Sequence, residues 1–149
     1  MTENKEIIFS EIKKDFFRFR NGILSQSIRN QYPEGVIIYG LMVPQFLEMA
    51  KKYPKDLELG EKLWDDKSNR ESRLFALYIL PPSLLSYEKA EAMIFDVRSV
   101  EEAEFLAFRI LKHLPFRSEL YEGVKELGNS QTLQGYCVRM FAKNINADQ

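Results

Sequence analysis

Apolar residues recur every three or four positions along almost the whole chain of 149 residues. This spacing places apolar side chains on one face of an α-helix, whereas a half-buried strand would alternate apolar and polar residues. Proline marks the boundaries of the apolar stripes. Pro44 suits the first turn of a helix, and Pro54, Pro81-Pro82 and Pro115 follow the ends of stripes. The pattern predicts an all-α protein with about eight or nine helices joined by short loops.

Short joints make neighbouring helices antiparallel, so the helices are expected to form a stack of helical hairpins. Corresponding helices repeat every ~30 to 40 residues, which is typical of helical-repeat proteins; an irregular bundle is the alternative. Residues 1–149 are predicted to form a single domain with a frayed tail at about 144–149. The extended run Val36–Gly40 has no partner strand in the sequence and is predicted to be a structured loop.

Two Ser-x-x-Glu patterns predict helix starts, because a serine and a glutamate at this spacing can satisfy two free N–H groups of the first turn. They are Ser68 with Glu71, and Ser99 with Glu102. The second pattern opens an apolar stripe that predicts a helix reaching Leu114. Ser118 is predicted to cap a later helix that ends at Gly128, and Gln131–Lys143 is predicted as the last helix.

Helical spacing predicts which apolar side chains are buried. Trp64 and Phe95 lie on apolar faces, which favours the core over a ligand contact. Ile23 and Leu47 belong to two other stripes. Cys137 lies among apolar neighbours and is expected to be a buried, unreactive thiol.

Composition excludes several classes of function. The chain has 21 Lys and Arg against 22 Asp and Glu, so a globally basic nucleic-acid binder is excluded, although a local basic face is not. Its one Cys and one His exclude an internal disulfide and a multi-His metal site. No glycine-rich phosphate loop is present, and no apolar run approaches the ~18 residues that span a bilayer. We predict a cytoplasmic protein with no cofactor, no metal and no membrane contact.

Leu57–Trp64 ends in a Leu-Trp pair, and Asp65–Leu77 follows it with Glu, Arg and Ala-Leu. These two segments resemble a helix pair of the AlkD-like DNA alkylation repair family. Tyr39–Pro44 is similar to the segment that leads into a family helix. Ile94–Ser99 falls where the family has its Trp-Asp-x-Val-Asp active-site segment, and Leu111–Pro115 is similar to a family helix ending. The resemblance covers residues 36 to 143.

The resemblance implies a superhelix of HEAT-like helical hairpins whose concave face binds duplex DNA. Active members of the family excise alkylated purines. Their aromatic rings and an Asp contact the deoxyribose and stabilise the positive charge that develops as the glycosidic bond breaks. An Arg nearby holds the DNA backbone.

The sequence departs from the family pattern at the residues that carry this chemistry. Aligned without gaps, Phe95 takes the place of the active-site Trp, Asp96 the acidic position beside it, and Ser99 the place of the catalytic Asp. One gap would put Arg98 there instead. The functional Arg that follows a Leu-Gln pair is replaced by Gly135, and the family's last repeat would lie beyond residue 149. Phe95 and Asp96 are therefore the candidate catalytic residues of a degenerate site.

A basic stripe is the candidate nucleic-acid interface. Arg109 and Lys112 share one side of a predicted helix with His113, whose position in a last turn also suits the helix dipole. Arg139 and Lys143 are one turn apart on the last predicted helix. If the helices stack as repeats, these side chains could line up along DNA phosphates.

These features predict a DNA alkylation repair-like protein that binds duplex DNA through its backbone without efficient base excision. The first alternative is a protein–protein interaction scaffold, since helical repeats present long concave surfaces. The second is an active alkylpurine DNA glycosylase in which Asp96 supplies the carboxylate from a rearranged loop. A positive concave face favours DNA, whereas a mixed or apolar groove favours a protein partner.

Overall fold

The computed structural model describes residues 3–147, which form nine α-helices. They are α1 (Glu3–Arg18), α2 (Gly22–Ile28), α3 (Val43–Lys52), α4 (Leu57–Trp64), α5 (Arg70–Ile79), α6 (Tyr87–Phe95), α7 (Val100–Arg109), α8 (Arg117–Val124) and α9 (Leu133–Ala147). Short 3-10 turns occupy Arg29–Gln31, Pro82–Leu84, Leu111–His113 and Lys125–Asn129. The all-α prediction is confirmed.

The extended run after the first proline is a structured loop, as predicted. Within residues 3–147, its β-type pairing is one isolated parallel bridge between Ile37 and Asn69. The Ile37 N–H donates to the Ser68 carbonyl at 2.7 Å, and the Arg70 N–H donates to the Ile37 carbonyl at 3.0 Å. These bonds attach the loop to the start of α5.

The chain divides into two compact units, Met1–Leu80 and Pro81–Gln149. In the first unit α5 is central, because all ten of its residues are buried. Helices α3 and α4 pack against it, and α1 contacts α4. Phe75 on α5 contacts Phe16 edge-on at 6.0 Å between ring centroids and stacks with Phe46 at 6.2 Å. Aromatic rings from three helices therefore fill this core.

Trp64 belongs to the core of the first unit, with 1% of its surface exposed. The Arg73 guanidinium lies 3.7 Å from the centroid of the indole and donates a hydrogen bond to the Trp64 carbonyl at 2.8 Å. The predicted core role is confirmed, and its burial excludes a surface ligand contact.

In the second unit α9 packs against α7 and also contacts α6 and α8. Leu106, Cys137 and Phe141 are buried between these helices. Burial raises the pKa of the Cys137 thiol to about 12, which suppresses the nucleophilic thiolate. The predicted unreactive thiol is confirmed.

One of the two predicted helix caps is correct. The Ser99 hydroxyl accepts the Glu102 N–H at 3.0 Å and caps α7. The Ser68 prediction is wrong by one residue, because Asn69 caps α5 by accepting the Ser72 N–H at 3.0 Å. Asparagine is at least as good a cap as serine, and Ser68 is held in the bridge to the loop instead.

Other predicted helix limits also need correction. The helix that begins at Val100 ends at Arg109 rather than at Leu114. Helix α8 ends at Val124, its N-cap is Phe116 without a side-chain bond, and Gly128 lies in the following 3-10 turn. Helix α9 continues to Ala147. The prediction of a frayed tail is therefore wrong for residues 144–147. Residues 148 and 149 lie outside the described residues.

In the first unit, Ile23 and Leu47 were predicted to be buried but are exposed. Ile23 is 84% exposed, and α2, only seven residues long, buries none of its side chains. Leu47 is 46% exposed, whereas Phe46 and Met49 form the buried face of α3. None of the helices described in residues 3–147 has the length and apolar content to cross a membrane.

Candidate functional site

The candidate catalytic segment lies at the C-terminal end of α6, in the second unit. Phe95 is the last residue of α6, and Asp96 is its C-cap. Helix α6 buries Ala90, Met93 and Ile94, a face that does not include position 95. The Phe95 ring is therefore 54% exposed, and its predicted burial is wrong.

Asp96 presents a partly exposed carboxylate beside this ring. Its side chain is 30% exposed, and its Oδ1 lies 3.8 Å from Nε of Arg98, whose side chain is 50% exposed. An ion pair this long and this exposed contributes little to the stability of the protein. The C-terminus of α6 also carries the negative end of the helix dipole, which disfavours a carboxylate there. Phe95 and Asp96 thus offer one exposed ring and one carboxylate at the surface.

Ser99 has a structural role at the position that the resemblance gives to the catalytic Asp. It is 4% exposed, and its hydroxyl is engaged as the cap of α7. The Glu102 carboxylate folds back and accepts the Arg98 N–H at 2.9 Å. Both side chains of the Ser-x-x-Glu pattern are therefore used to form the first turn of α7.

Gly135 is fixed by close packing at the place where the resemblance expects an Arg. A Cβ atom at this position would lie 2.4 Å from the Ser130 carbonyl oxygen and 2.7 Å from that of Leu127. No side chain fits there unless the 3-10 turn before α9 moves. The preceding residue does reach the candidate segment, because the Gln134 amide donates to the Phe95 carbonyl at 3.1 Å. This hydrogen bond between neutral groups links α9 to the C-terminal end of α6.

The basic candidates lie on three different elements of the second unit. Arg109 is the last residue of α7, and Lys112 and His113 lie in the next 3-10 turn, so the predicted single helix face is wrong. The Lys112 ammonium lies 4.2 Å from the centroid of the exposed Phe108 ring. Ile110 is the C-cap of α7, and the 3-10 turn Leu111–His113 follows it directly.

Arg139 and Lys143 lie one turn apart on α9 and are both exposed, as predicted. Arg139 also stabilises its own unit, since Nη1 donates to the carbonyls of Gly128 and Ser130 at 2.8 and 2.7 Å. Residues 81–149 carry eight Lys and Arg against ten Asp and Glu, so this unit is not basic overall. The continuous basic stripe stays a prediction.

A denser basic segment lies in the first unit, outside every predicted site. Residues 13–32 hold five bases and one acid, which a local charge count along the sequence would have found. The three arginines among them are Arg18, Arg20 and Arg29, and all three are exposed. Among residues 3–147, no group of three or more His, Cys, Asp or Glu side chains is placed to hold a metal ion.

Comparison with solved structures identifies a protein with a similar fold. A structure described as "A new family of proteins related to the HEAT-like repeat DNA glycosylases with affinity for branched DNA structures" superposes with a TM-score of 0.80 and 15% sequence identity. The match covers 95% of this chain. The chain has a HEAT-like repeat fold. It spans 58% of the length of that protein.

The HEAT-like repeat fold confirms the fold implied by the sequence resemblance. No protein-family model matches the sequence, and no curated protein matches it. The fold is thus established by the arrangement of the helices, while the roles of individual residues depend on the geometry described above.

Proposed function

We propose that this HEAT-like repeat protein binds duplex DNA through backbone contacts and does not excise alkylated bases efficiently. The observation that carries the proposal is the state of Ser99. At the position that the resemblance, aligned without gaps, gives to the catalytic carboxylate, this chain has a buried hydroxyl already bonded to the Glu102 N–H. Such a group cannot supply negative charge beside a developing oxocarbenium ion.

Two observations support DNA as the ligand. The structurally similar protein is described as having affinity for branched DNA. In this chain Arg139 and Lys143 are exposed on one helix, with Lys112 on a neighbouring turn, where each can contact a phosphate. Contacts of this kind position DNA without reading its sequence, and they depend on salt.

Weak excision is expected because a carboxylate that stabilises charge and an Arg that holds the DNA backbone are both replaced relative to the family pattern. Removing one such group from a preorganised site commonly lowers the rate about 10²- to 10³-fold. The losses need not multiply, since residues of one site act together. Relative to the family pattern, Ser99 and Gly135 nevertheless replace a carboxylate and a guanidinium, and Asp96 keeps one partly exposed carboxylate.

Binding can be tested by fluorescence anisotropy with plain and alkylated duplexes at about 50 and 200 mM salt, a range over which phosphate contacts weaken strongly. We expect equal affinity for both duplexes and a steep dependence on salt. Arg139→Gln and Lys143→Gln should each reduce the salt slope by about one. Lys125→Gln is the matched control, because that lysine pairs with Glu122 at 2.7 Å.

Excision can be tested by release of methylated purine from a labelled duplex, with Asp96→Asn run beside the parent protein. We expect neither protein to exceed the spontaneous rate. Rapid release by the parent that is lost in Asp96→Asn would establish an active glycosylase with a rearranged site. The Asn variant keeps the size of the side chain, so a difference reports the charge.

A protein-interaction scaffold is the second candidate function. It is favoured by large apolar side chains at the surface of the first unit: Ile23, Ile37, Met42, Val43 and Leu47 are 43% to 84% exposed. A contiguous patch of exposed apolar side chains marks an interaction surface, and Met42, Val43 and Leu47 lie close together at the N-cap and in the first turns of α3. Absence of binding to every duplex at about 50 mM salt, where phosphate contacts are strong, would favour this candidate.

A further inference from the structure

An exposed surface at the end of α1 combines arginines with apolar side chains. We call it the Arg20 surface and define it by Phe17, Arg18, Arg20, Ile23 and Arg29. The Phe17 ring is 55% exposed and Ile23 is 84% exposed, and the three arginines are also at the surface. Residues 13–32, which contain the surface, have four more bases than acids.

Arg20 and Phe17 form a stacked pair at the centre of this surface. The Arg20 guanidinium lies 3.9 Å from the centroid of the Phe17 ring, and its Nη1 donates to the Phe17 carbonyl at 2.9 Å. The Tyr39 ring meets Phe17 edge-on, with 6.4 Å between centroids and 89° between planes. Two contacts therefore hold the pair in place: the hydrogen bond to the end of α1 and the Tyr39 ring from the loop 36–42.

The same loop joins the rest of the surface to this pair. Arg29 donates to the Val36 carbonyl at 2.5 Å, and the Asn21 N–H donates to the Tyr39 carbonyl at 2.7 Å. Val36 and Tyr39 are three residues apart, at most ~10 Å along the chain. Arg29 and the stacked pair are therefore attached to the two ends of the short loop segment 36–39.

Glu71 on α5 holds this loop in place. Its carboxylate is fully buried and accepts the N–H groups of Tyr39, Gly40 and Leu41 at 2.8, 3.1 and 3.2 Å. At Gly40, φ is +87° and a Cβ would lie 2.4 Å from the Asn21 carbonyl oxygen, so the loop also packs closely on α2. The surface is therefore formed before any ligand arrives, which lowers the entropy cost of binding.

We infer that the Arg20 surface binds an unpaired DNA strand, with a base stacked on the Arg20–Phe17 pair and phosphates held by Arg18 and Arg29. The inference rests on the proposed function of DNA binding and names the part of the DNA that this surface takes. Arginine planes and aromatic rings stack on bases only where the base faces are accessible. In a duplex those faces are covered by the neighbouring base pairs, so this stacking contact is lost while phosphate contacts remain possible.

The charge of the surface favours a nucleic acid over a protein partner. The acid within residues 13–32 is Asp15, which is buried and pairs with Arg18 at 2.7 Å. Arg18 nevertheless keeps 65% of its side chain exposed. A polyanion thus meets three exposed guanidinium groups, and Ile23 adds apolar area for the edge of a sugar or base.

The test compares two probes by fluorescence anisotropy: a blunt duplex and the same duplex with a short single-stranded tail. The proteins are the parent, Arg20→Lys, which keeps the charge and loses the stacking plane, and Phe17→Leu, which keeps an apolar side chain and loses the ring. Phe108→Leu is the matched control, because Phe108 is a similarly exposed ring that also lies under a cation. Thermal melts establish that each variant is folded.

The parent should bind the tailed probe at least fivefold more tightly than the blunt one, the effect of about 1 kcal/mol of base stacking. Arg20→Lys and Phe17→Leu should abolish this preference and leave affinity for the blunt duplex within about twofold. Phe108→Leu should keep the preference.

Equal binding of both probes by the parent, or a preference kept in Arg20→Lys and Phe17→Leu, would refute the inference and leave duplex binding intact. Absence of binding to either probe would refute the proposed function as well. The two failures therefore give different results.

Discussion

The buried carboxylate of Glu71 is expected to be among the most stabilising polar groups in the first unit. It pairs with the Arg70 guanidinium, which is itself 2% exposed, and it accepts three backbone N–H groups from the loop 39–41. Arg70 also donates to the Leu41 carbonyl at 3.0 Å. Replacing Glu71 by Ala removes the acceptor and leaves a guanidinium and three amides in the interior.

The expected loss follows from these contacts. Breaking a buried ion pair by deleting one partner typically costs about 3 to 5 kcal/mol. Each hydrogen bond to a charged group contributes about 1.5 to 3 kcal/mol, but bonds that share one carboxylate are not additive. We therefore expect Glu71→Ala to lower the free energy of unfolding by about 4 kcal/mol. Glu71→Gln keeps one acceptor oxygen but removes the charge that pairs with Arg70 and turns an NH2 group toward a donor, so it should still lose about 3 kcal/mol.

Urea unfolding at neutral pH measures the effect. With a slope near 2 kcal/mol per molar urea, a loss of about 4 kcal/mol moves the midpoint down by about 2 M. Hydrogen exchange gives a second, local measurement, because the amides of Tyr39, Gly40 and Leu41 should lose protection before the rest of the unit. Glu48→Ala is the control, since Glu48 is 65% exposed and pairs only at 3.5 Å with Lys51.

A loss below about 1.5 kcal/mol for Glu71→Ala, with folded protein and an unchanged slope, would refute the reasoning, because it is within the range of one ordinary hydrogen bond. It would mean that the interactions of the Glu71 carboxylate stabilise the protein by little more than the free energy that its desolvation costs. Equal losses for Glu71→Ala and Glu48→Ala would lead to the same conclusion.

Three further predictions test the packing and capping described above, two of them with a matched control variant. Ser99→Ala should cost about 1 kcal/mol in urea unfolding and Ser68→Ala close to nothing, because Ser99 caps a helix and Ser68 does not; equal costs would contradict this. Gly135→Ala should destabilise by about 1 to 3 kcal/mol through its clash, whereas Gly128→Ala, whose Cβ would lie 3.6 Å from its nearest neighbour, should change stability by less than about 0.5 kcal/mol. Trp64→Ala should cost about 3 to 5 kcal/mol, and a loss under about 1 kcal/mol would contradict its place in the core.

Periodicity predicted the helices well because it reports a property of each segment alone. It did not predict exposure, which depends on what each helix packs against. Phe95 and Leu47 lie in apolar stripes, yet both fall beside the face that their helix buries. Ile23 is on α2, none of whose seven residues is buried.

The candidate site was less predictable than the fold for a related reason. Glu71 fits the local capping pattern with Ser68, but its carboxylate turns to a loop about 30 residues earlier in the chain. No local pattern contains that contact. The position of Ser99, by contrast, was predicted because a cap and its partner lie three residues apart.

The close packing at Gly135 also limits how the chain can change over evolutionary time. Any larger residue at this position meets the backbone carbonyls of Ser130 and Leu127 before its own functional group can be of use. A guanidinium could be gained there only after permissive changes had first rebuilt the turn at 125–132. The order of substitutions is thus constrained, because a glycine fixed by packing prevents a charged side chain from being gained at this position in one mutational step.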